Sequence, residues 1–210
     1  MNLKIINNFF DNEDLKLISS LRLNKKVEND KSVVYHNKIT KDGKIESELF
    51  NKETLKLLHK KYHPIALKIL RELCPEKIDL YEYSEFHLVE TGKDFHFPIH
   101  DDIPNKLLSG VVYIKPEKNS GTIFYETKSG IGKNTTIEWK VNKAIFFSRV
   151  ERKTWHSYSG DGKSNRITIV YNLMTDDLKR VFAIEKTNGF LGKLRNFINP
   201  YLFKFFKTTI

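Results

Sequence analysis

The sequence is poor in cysteine, with Cys74 the only one among 210 residues. No intrachain disulfide can form, and a single thiol fits a reducing compartment, so a cytoplasmic location is expected. Long apolar runs are missing too. No stretch approaches the roughly 18 apolar residues of a membrane-spanning helix. The opening MNLKIINNFF lacks a basic segment followed by a long apolar one, so no signal peptide is expected. Acid is scarce at one end. From 178 to 210, seven Lys and Arg stand against one acid, Glu185, which places +6 of the chain's +10 in that segment. There is no internal repeat and no low-complexity tract. A 40% hydrophobic and 30% charged composition excludes a disordered chain, and the length suits one domain.

The periodicity of the apolar residues divides the chain into three regions. Residues 1–77 read as a helical support. A short strand opens it, then a helix over DNEDLKLISSLR with Asp11 as N-cap and Leu15, Ile18 and Leu21 on one face. Residues 24–50 are polar and read as irregular, with a turn at KDGK. Leu55, Leu58, Tyr62, Ile65, Ile69 and Leu73 have helical spacing, with a kink or break expected at Pro64. From about 78 the period becomes two. Strands are expected at 78–90, 97–102, 107–115, 121–126, 135–139, 143–148, 153–158 and 165–173, separated by turn-forming sequences. Eight short strands with flanking helices make the fold class mainly β: a sandwich, jelly roll or barrel.

The tail, 174–210, is basic and amphipathic. Phe190, Leu191, Leu194, Phe197, Ile198, Tyr201, Leu202 and Phe205 form a helical stripe, and Asn199–Pro200 predicts a division into two short helices. The stripe either packs on the sheet or a second subunit, or lies on an anionic membrane surface.

The chemistry begins at PIHDDIP. Side chains two apart on a strand share a face, so His100 pairs with Asp102 and Asp101 points away. An imidazole and a carboxylate supply two-thirds of a 2-His-1-carboxylate site, the facial arrangement of non-haem Fe(II) oxygenases. His156, in KTWHSYS, is the only histidine downstream and completes the set. In NRITIVYNL, Arg166, Thr168, Val170 and Asn172 share a face. An arginine lining an interior calls for an anion, and its fork suits a carboxylate.

HxD, then His156, then Arg166 ten residues on resembles the Fe(II)/2-oxoglutarate-dependent oxygenases, in particular their prolyl-hydroxylase-like subgroup. The resemblance spans about 78–173. It implies a double-stranded β-helix with the N-terminal helices packed on one sheet, and Fe(II), 2-oxoglutarate and O2 as reactants. His100, Asp102 and His156 would hold the iron. Arg166 would anchor the far carboxylate of 2-oxoglutarate, with Thr168 as the hydroxyl two residues on and Tyr113 as a third contact. NSGTIFY resembles the family's glycine turn, whereas the tyrosine that many relatives carry just before HxD has no counterpart. The activity implied is hydroxylation of a C–H bond of an unidentified substrate, with succinate and CO2 released.

Two other readings use the same residues. One is a jelly-roll module that binds metal without turnover. The other is an oxygenase that dealkylates nucleic acid. It is prompted by the net charge but disfavoured because the next arginine after Arg166 is Arg180, in another segment. His59 and His63, in HKKYH, lack the adjacent glutamate of a metalloprotease and read as solvated helix residues. His87 and His96 could face the pocket, with near-surface strand positions as the default reading. Lys106, Arg149, Arg152, Lys153 and Trp155 are placed near the pocket mouth.

Overall fold

The computed structural model describes residues 3–206, and the backbone alone at 196, 200 and 202–206. Two antiparallel sheets face each other. The large one contains β1 (Leu3–Ile6), β2 (Ser32–Tyr35), β3 (Asn37–Thr40), β4 (Ile45–Ser47), β5 (Tyr83–Thr91), β7 (Lys106–Lys115), β10 (Ala144–Phe147) and β12 (Arg166–Met174). Its order is β1-β10-β7-β12-β5-β3-β4, with β2 also paired to β5. The small sheet orders β6 (His96–His100), β11 (Trp155–Ser159), β8 (Thr122–Tyr125) and β9 (Asn134–Ile137) as β6-β11-β8-β9. From β5 onward the chain passes repeatedly between the sheets, which makes a double-stranded β-helix.

Burial follows the two-residue period. In β12, Ile167, Ile169, Tyr171 and Leu173 are buried against the helices, while Arg166, Thr168, Val170 and Asn172 line the space between the sheets. The helix behind the large sheet is α2 (Lys52–Leu73), capped by Asn51, which accepts from the Thr54 N–H at 2.8 Å. Its buried stripe, Leu55, Leu58, Tyr62, Ala66, Ile69 and Leu70, joins Phe86, Leu88 and Ile169 in the main core. Helix α1 (Asn12–Ser19) starts at Asp11, whose carboxylate accepts from the Asp14 N–H at 2.8 Å. A second, smaller core of Tyr113, Phe124, Ile137, Ile145 and Phe147 lies between the sheets. At Gly121, which leads into β8, a Cβ would stand 1.9 Å from the Ile137 carbonyl oxygen, so only glycine fits.

Four local expectations are corrected. Residues 24–50 are not wholly irregular, because β2, β3 and β4 lie within them. These strands are too short to show a period, and they form on β5 as a template. The turn between β2 and β3 is tied by Asn37, whose amide donates to the Tyr35 and Phe86 carbonyls at 3.0 and 2.9 Å. Helix α2 runs unbroken through Pro64, which is exposed, so the carbonyl it cannot serve is left to water. The stretch from 78 to 80 belongs to a 3-10 helix, Pro75–Leu80, and the strand begins at Tyr83. Finally, α3 (Leu178–Ile184) is followed by one helix, α4 (Gly189–Phe206), which continues through Asn199–Pro200.

Candidate active site

His156 and His100 are cross-strand partners in β11 and β6, with ring centroids 4.2 Å apart. Asp102 follows the end of β6 and is held by β7, where Lys106 Nζ donates to Oδ1 at 2.7 Å and Ser109 Oγ to Oδ2 at 2.6 Å. One ligand atom from each of His100, Asp102 and His156 lies within 4.8 Å of the others, and this is the only such group among the described residues.

The hydrogen bonds set the tautomers. His100 Nδ1 is 2.9 Å from the Pro98 carbonyl, and His156 Nδ1 is 2.9 Å from the Thr154 carbonyl. A carbonyl only accepts, so both Nδ1 atoms carry the proton and both Nε2 lone pairs are free to bind a cation. Burial, reinforced by His156, lowers the His100 pKa to about 3, which keeps the ring neutral. Burial alone would raise the Asp102 pKa, but the Lys106 ammonium beside it outweighs burial and holds the carboxyl below the usual range. Two imidazoles with free Nε2 atoms and one ionised carboxylate suit a divalent metal.

Asp101 faces other partners. It accepts from the Arg152 N–H at 2.7 Å and from Thr154 Oγ1 at 2.5 Å, with Arg149 nearby. It therefore braces the loop that carries the Thr154 carbonyl. Arg149 is buried in the frame as well, donating to the Asp102 carbonyl at 2.8 Å and pairing with Glu185.

These groups border a cavity of about 510 Å³. Arg166 lines it and is only 3% exposed. Its Nε and Nη1 have no hydrogen-bond partner. The guanidinium lies 4.3 Å from the Tyr158 ring, 5.0 Å from Trp139 and 5.9 Å from Tyr113. An aromatic cradle stabilises the charge but leaves the N–H donors unused. Thr168 lines the same cavity. Tyr113 does not. It stacks on Trp139 at 4.3 Å, and its hydroxyl donates to Thr122 Oγ1 at 2.8 Å. The tyrosine that does line the cavity is Tyr158, whose pKa burial raises to about 12. Tyr158 sits two residues after His156 on the same strand face, a signal the sequence does carry.

Of the other polar residues of the cavity, Glu85 went unrecognised in the sequence. His87 takes the pocket-facing alternative rather than a near-surface position and lines the floor with Glu85 and Asn172. Of the residues placed near the mouth, Lys106, Arg149, Arg152 and Trp155 line the cavity. His59 and His63 are half-buried and stacked 4.3 Å apart against Tyr81 and Ser84, behind the large sheet.

No protein-family model matches the sequence, and no curated protein sequence matches it. The fold does have solved counterparts. A prolyl-4-hydroxylase from Pseudomonas putida aligns over 82% of this chain and 92% of its own, at 10% identity and a TM-score of 0.54. An oxidoreductase of the 2OG-Fe(II) oxygenase family from Burkholderia pseudomallei aligns over 82% and 84%, at 15% identity and a TM-score of 0.54. A prolyl hydroxylase from Trichoplax adhaerens, solved with a hypoxia inducible factor peptide, aligns over 84% and 85%, at 14% identity and a TM-score of 0.53. At these identities the likeness is one of fold: the chain is a double-stranded β-helix of the kind these oxygenases use.

Proposed function

We propose that the protein is an Fe(II)- and 2-oxoglutarate-dependent dioxygenase that oxidises, most simply hydroxylates, a C–H bond of a further substrate. The observation that carries this is Arg166, a buried guanidinium with two idle donors in the cavity that the His100–Asp102–His156 group borders. A metal-binding module would need the three ligands but not the arginine. In this reading the free Nε2 atoms and Asp102 hold the metal, Arg166 takes the distal carboxylate, and Thr168 and Tyr158 line its approach. Iron bound there would supply the chemistry that couples O2 and 2-oxoglutarate, giving succinate and CO2, to oxidation of the substrate. The protein's part is to turn both Nε2 lone pairs toward the site, to hold Asp102 ionised between Lys106 and Ser109, and to surround the site with Phe124 and Phe147, which exclude water. The division of labour follows the three regions: 1–77 as support, 78–173 as the catalytic core, 174–210 as an appended tail.

The test is anaerobic loading with Fe(II) and 2-oxoglutarate, then admission of O2. Slow succinate release is expected from the wild type and none from Asp102→Ala. Tight binding of both reactants with no succinate from any substrate panel would favour the non-catalytic module.

The tail carries a second proposal. The outer face of α4 exposes Phe190 (76%), Phe197 (68%), Leu191, Leu194 and Tyr201. No acid occurs in this helix, and Lys193 and Lys204 belong to it. Bare aromatics beside lysines fit an anionic membrane surface, to which the enzyme would attach peripherally. Arg195 is not part of this face, because it pairs with Glu151 and lines the cavity mouth. Among the described residues no helix is long and apolar enough to cross a membrane. The stripe's last members, Leu202 and Phe205, and Lys207 lie outside the described side chains.

A further inference from the structure

The cavity floor has two ends. Cross-strand register sets Arg166 of β12 opposite Thr91 of β5 at one end, and Asn172 opposite Glu85 at the other. Six residues of strand separate the two ends, about 20 Å at the usual rise. Asp102 is anchored by Ser109 of β7, which runs beside β12 between the Val111–Val170 and Leu108–Leu173 pairs. The metal-ligand group therefore stands nearer the Asn172 end. With the arginine end given to 2-oxoglutarate, the Glu85 end faces what remains of the cavity.

That end is rich in acceptors. Asn172 is 1% exposed, and its Nδ2 donates to Glu85 Oε2 at 2.9 Å, which fixes the amide orientation. The consequence is that Asn172 Oδ1 is buried without a partner. Glu85 is largely buried as well, and its own ion-pair contact is His87 Nε2 at 3.6 Å. His87 Nδ1 accepts from the Asn37 N–H at 3.0 Å, so the N–H that the ring turns toward Glu85 is the one on Nε2. Among the described residues no lysine or arginine lies within salt-bridge distance of Glu85, and Lys106 spends its bond on Asp102. Burial alone would raise the Glu85 pKa. The bonds to His87 and Asn172 outweigh it and keep the carboxyl below its ordinary value. The floor thus holds an ionised carboxylate and an idle carbonyl, and the nearest cation, Lys106, is bonded to Asp102 rather than to either. Buried charges are normally paired.

We infer that Glu85 and Asn172 form the recognition subsite for the prime substrate, and that the group they bind is a cationic nitrogen, an ammonium or guanidinium. This rests on the dioxygenase reading for the word substrate, but not for the binding itself. A cationic group carries several N–H donors and a positive charge. It satisfies Glu85 and Asn172 Oδ1 together, which a single hydroxyl does not. The subsite is a positioning device: it holds the far end of the substrate while the portion next to the metal ligands reacts.

The test is calorimetric titration of the full chain, once with Mn(II) and 2-oxoglutarate bound and once without either. The probes are L-lysine, L-arginine, spermidine and a capped lysine-containing peptide, with norleucine and citrulline as the neutral counterparts. At least one cationic probe is expected to bind ten times or more tighter than its neutral counterpart. Free amines or the peptide will identify the source of the cation. Glu85→Gln should lower that affinity at least tenfold while leaving 2-oxoglutarate affinity unchanged, and Glu85→Asp should restore part of it. The inference is overturned if no cationic probe outcompetes its neutral counterpart on the wild type, or if Glu85→Gln binds it equally well. Should Glu85→Gln not fold, the wild-type comparison and Asn172→Ala, expected to weaken the cation likewise, still decide. If 2-oxoglutarate fails to bind but Glu85-dependent cation binding is present, the oxygenase reading falls and the subsite stands.

Discussion

Replacing Arg166 with methionine separates the cost of holding a buried cation from the benefit of using it. In the ligand-free protein two buried donors go unmet, a penalty of about 1–3 kcal/mol each by the usual cost of an unsatisfied group. Against it stand three aromatic faces, the nearest at 4.3 Å. A desolvated cation–π contact is worth about 2 kcal/mol at most sites. The two effects nearly cancel, so Arg166→Met should melt close to the wild type, with its packing volume largely kept. Binding should behave differently. Truncating one member of a buried charge pair costs about 2–5 kcal/mol, which at 1.4 kcal/mol per decade is roughly 30-fold or more in the 2-oxoglutarate Kd. The assay is thermal denaturation with Mn(II), with and without 2-oxoglutarate. At a concentration 100 times its Kd the ligand stabilises the wild type by about 2.7 kcal/mol, and a variant binding a thousandfold more weakly gains about 0.1 kcal/mol. Equal ligand-induced shifts in the two proteins would refute the assignment of Arg166 and point to another cation. A collapse of the ligand-free variant would show that the arginine is structural.

Three further outcomes are expected. Asp102→Ala should abolish divalent-metal binding measured by calorimetry, while Asp101→Ala should keep the site but lose stability, because it frees the Arg152 N–H and Thr154 that brace the His156 loop; equal metal affinities would sink the ligand assignment. Burial lowers the His63 pKa from its ordinary 6.5 to about 4, with help from His59, so the unfolded chain binds more protons in that window and stability should fall as pH drops through it. His63→Gln should flatten this part of the melting-temperature profile, and an unchanged slope would place the titration elsewhere. The full chain should float with anionic vesicles at low salt and lose that binding on truncation after Asn188, with the fold retained; failure to float rules the membrane out, and a concentration-dependent dimer in sedimentation would assign the stripe to a second copy.

Much of the centre was legible from residue order because strands obey a period of two. That period put Ile167, Ile169, Tyr171 and Leu173 on one face of β12 and Arg166, Thr168, Val170 and Asn172 on the other. Helix capping was equally local: Asp11 meets the N–H three residues on because the chain itself brings them together.

What depended on long-range contact was not legible. β2, β3 and β4 are too short to carry a pattern and exist because β5 offers an edge to β2 and β3, and β3 in turn to β4. Pro64 interrupts a hydrogen-bond ladder without ending a helix, because its surface placement lowers that cost. Tyr113 and Tyr158 differ only in what stands behind each ring: Trp139 and Thr122 occupy the first, and Arg166 lies over the second at 4.3 Å. The pairing of Glu85 with Asn172 across 87 positions is likewise a product of register. The sequence by itself determined the alternating faces, the ligand types and their order, since each follows from neighbours along the chain. Only the tertiary structure decided which polar groups are left without partners, because that depends on what the other sheet fails to supply.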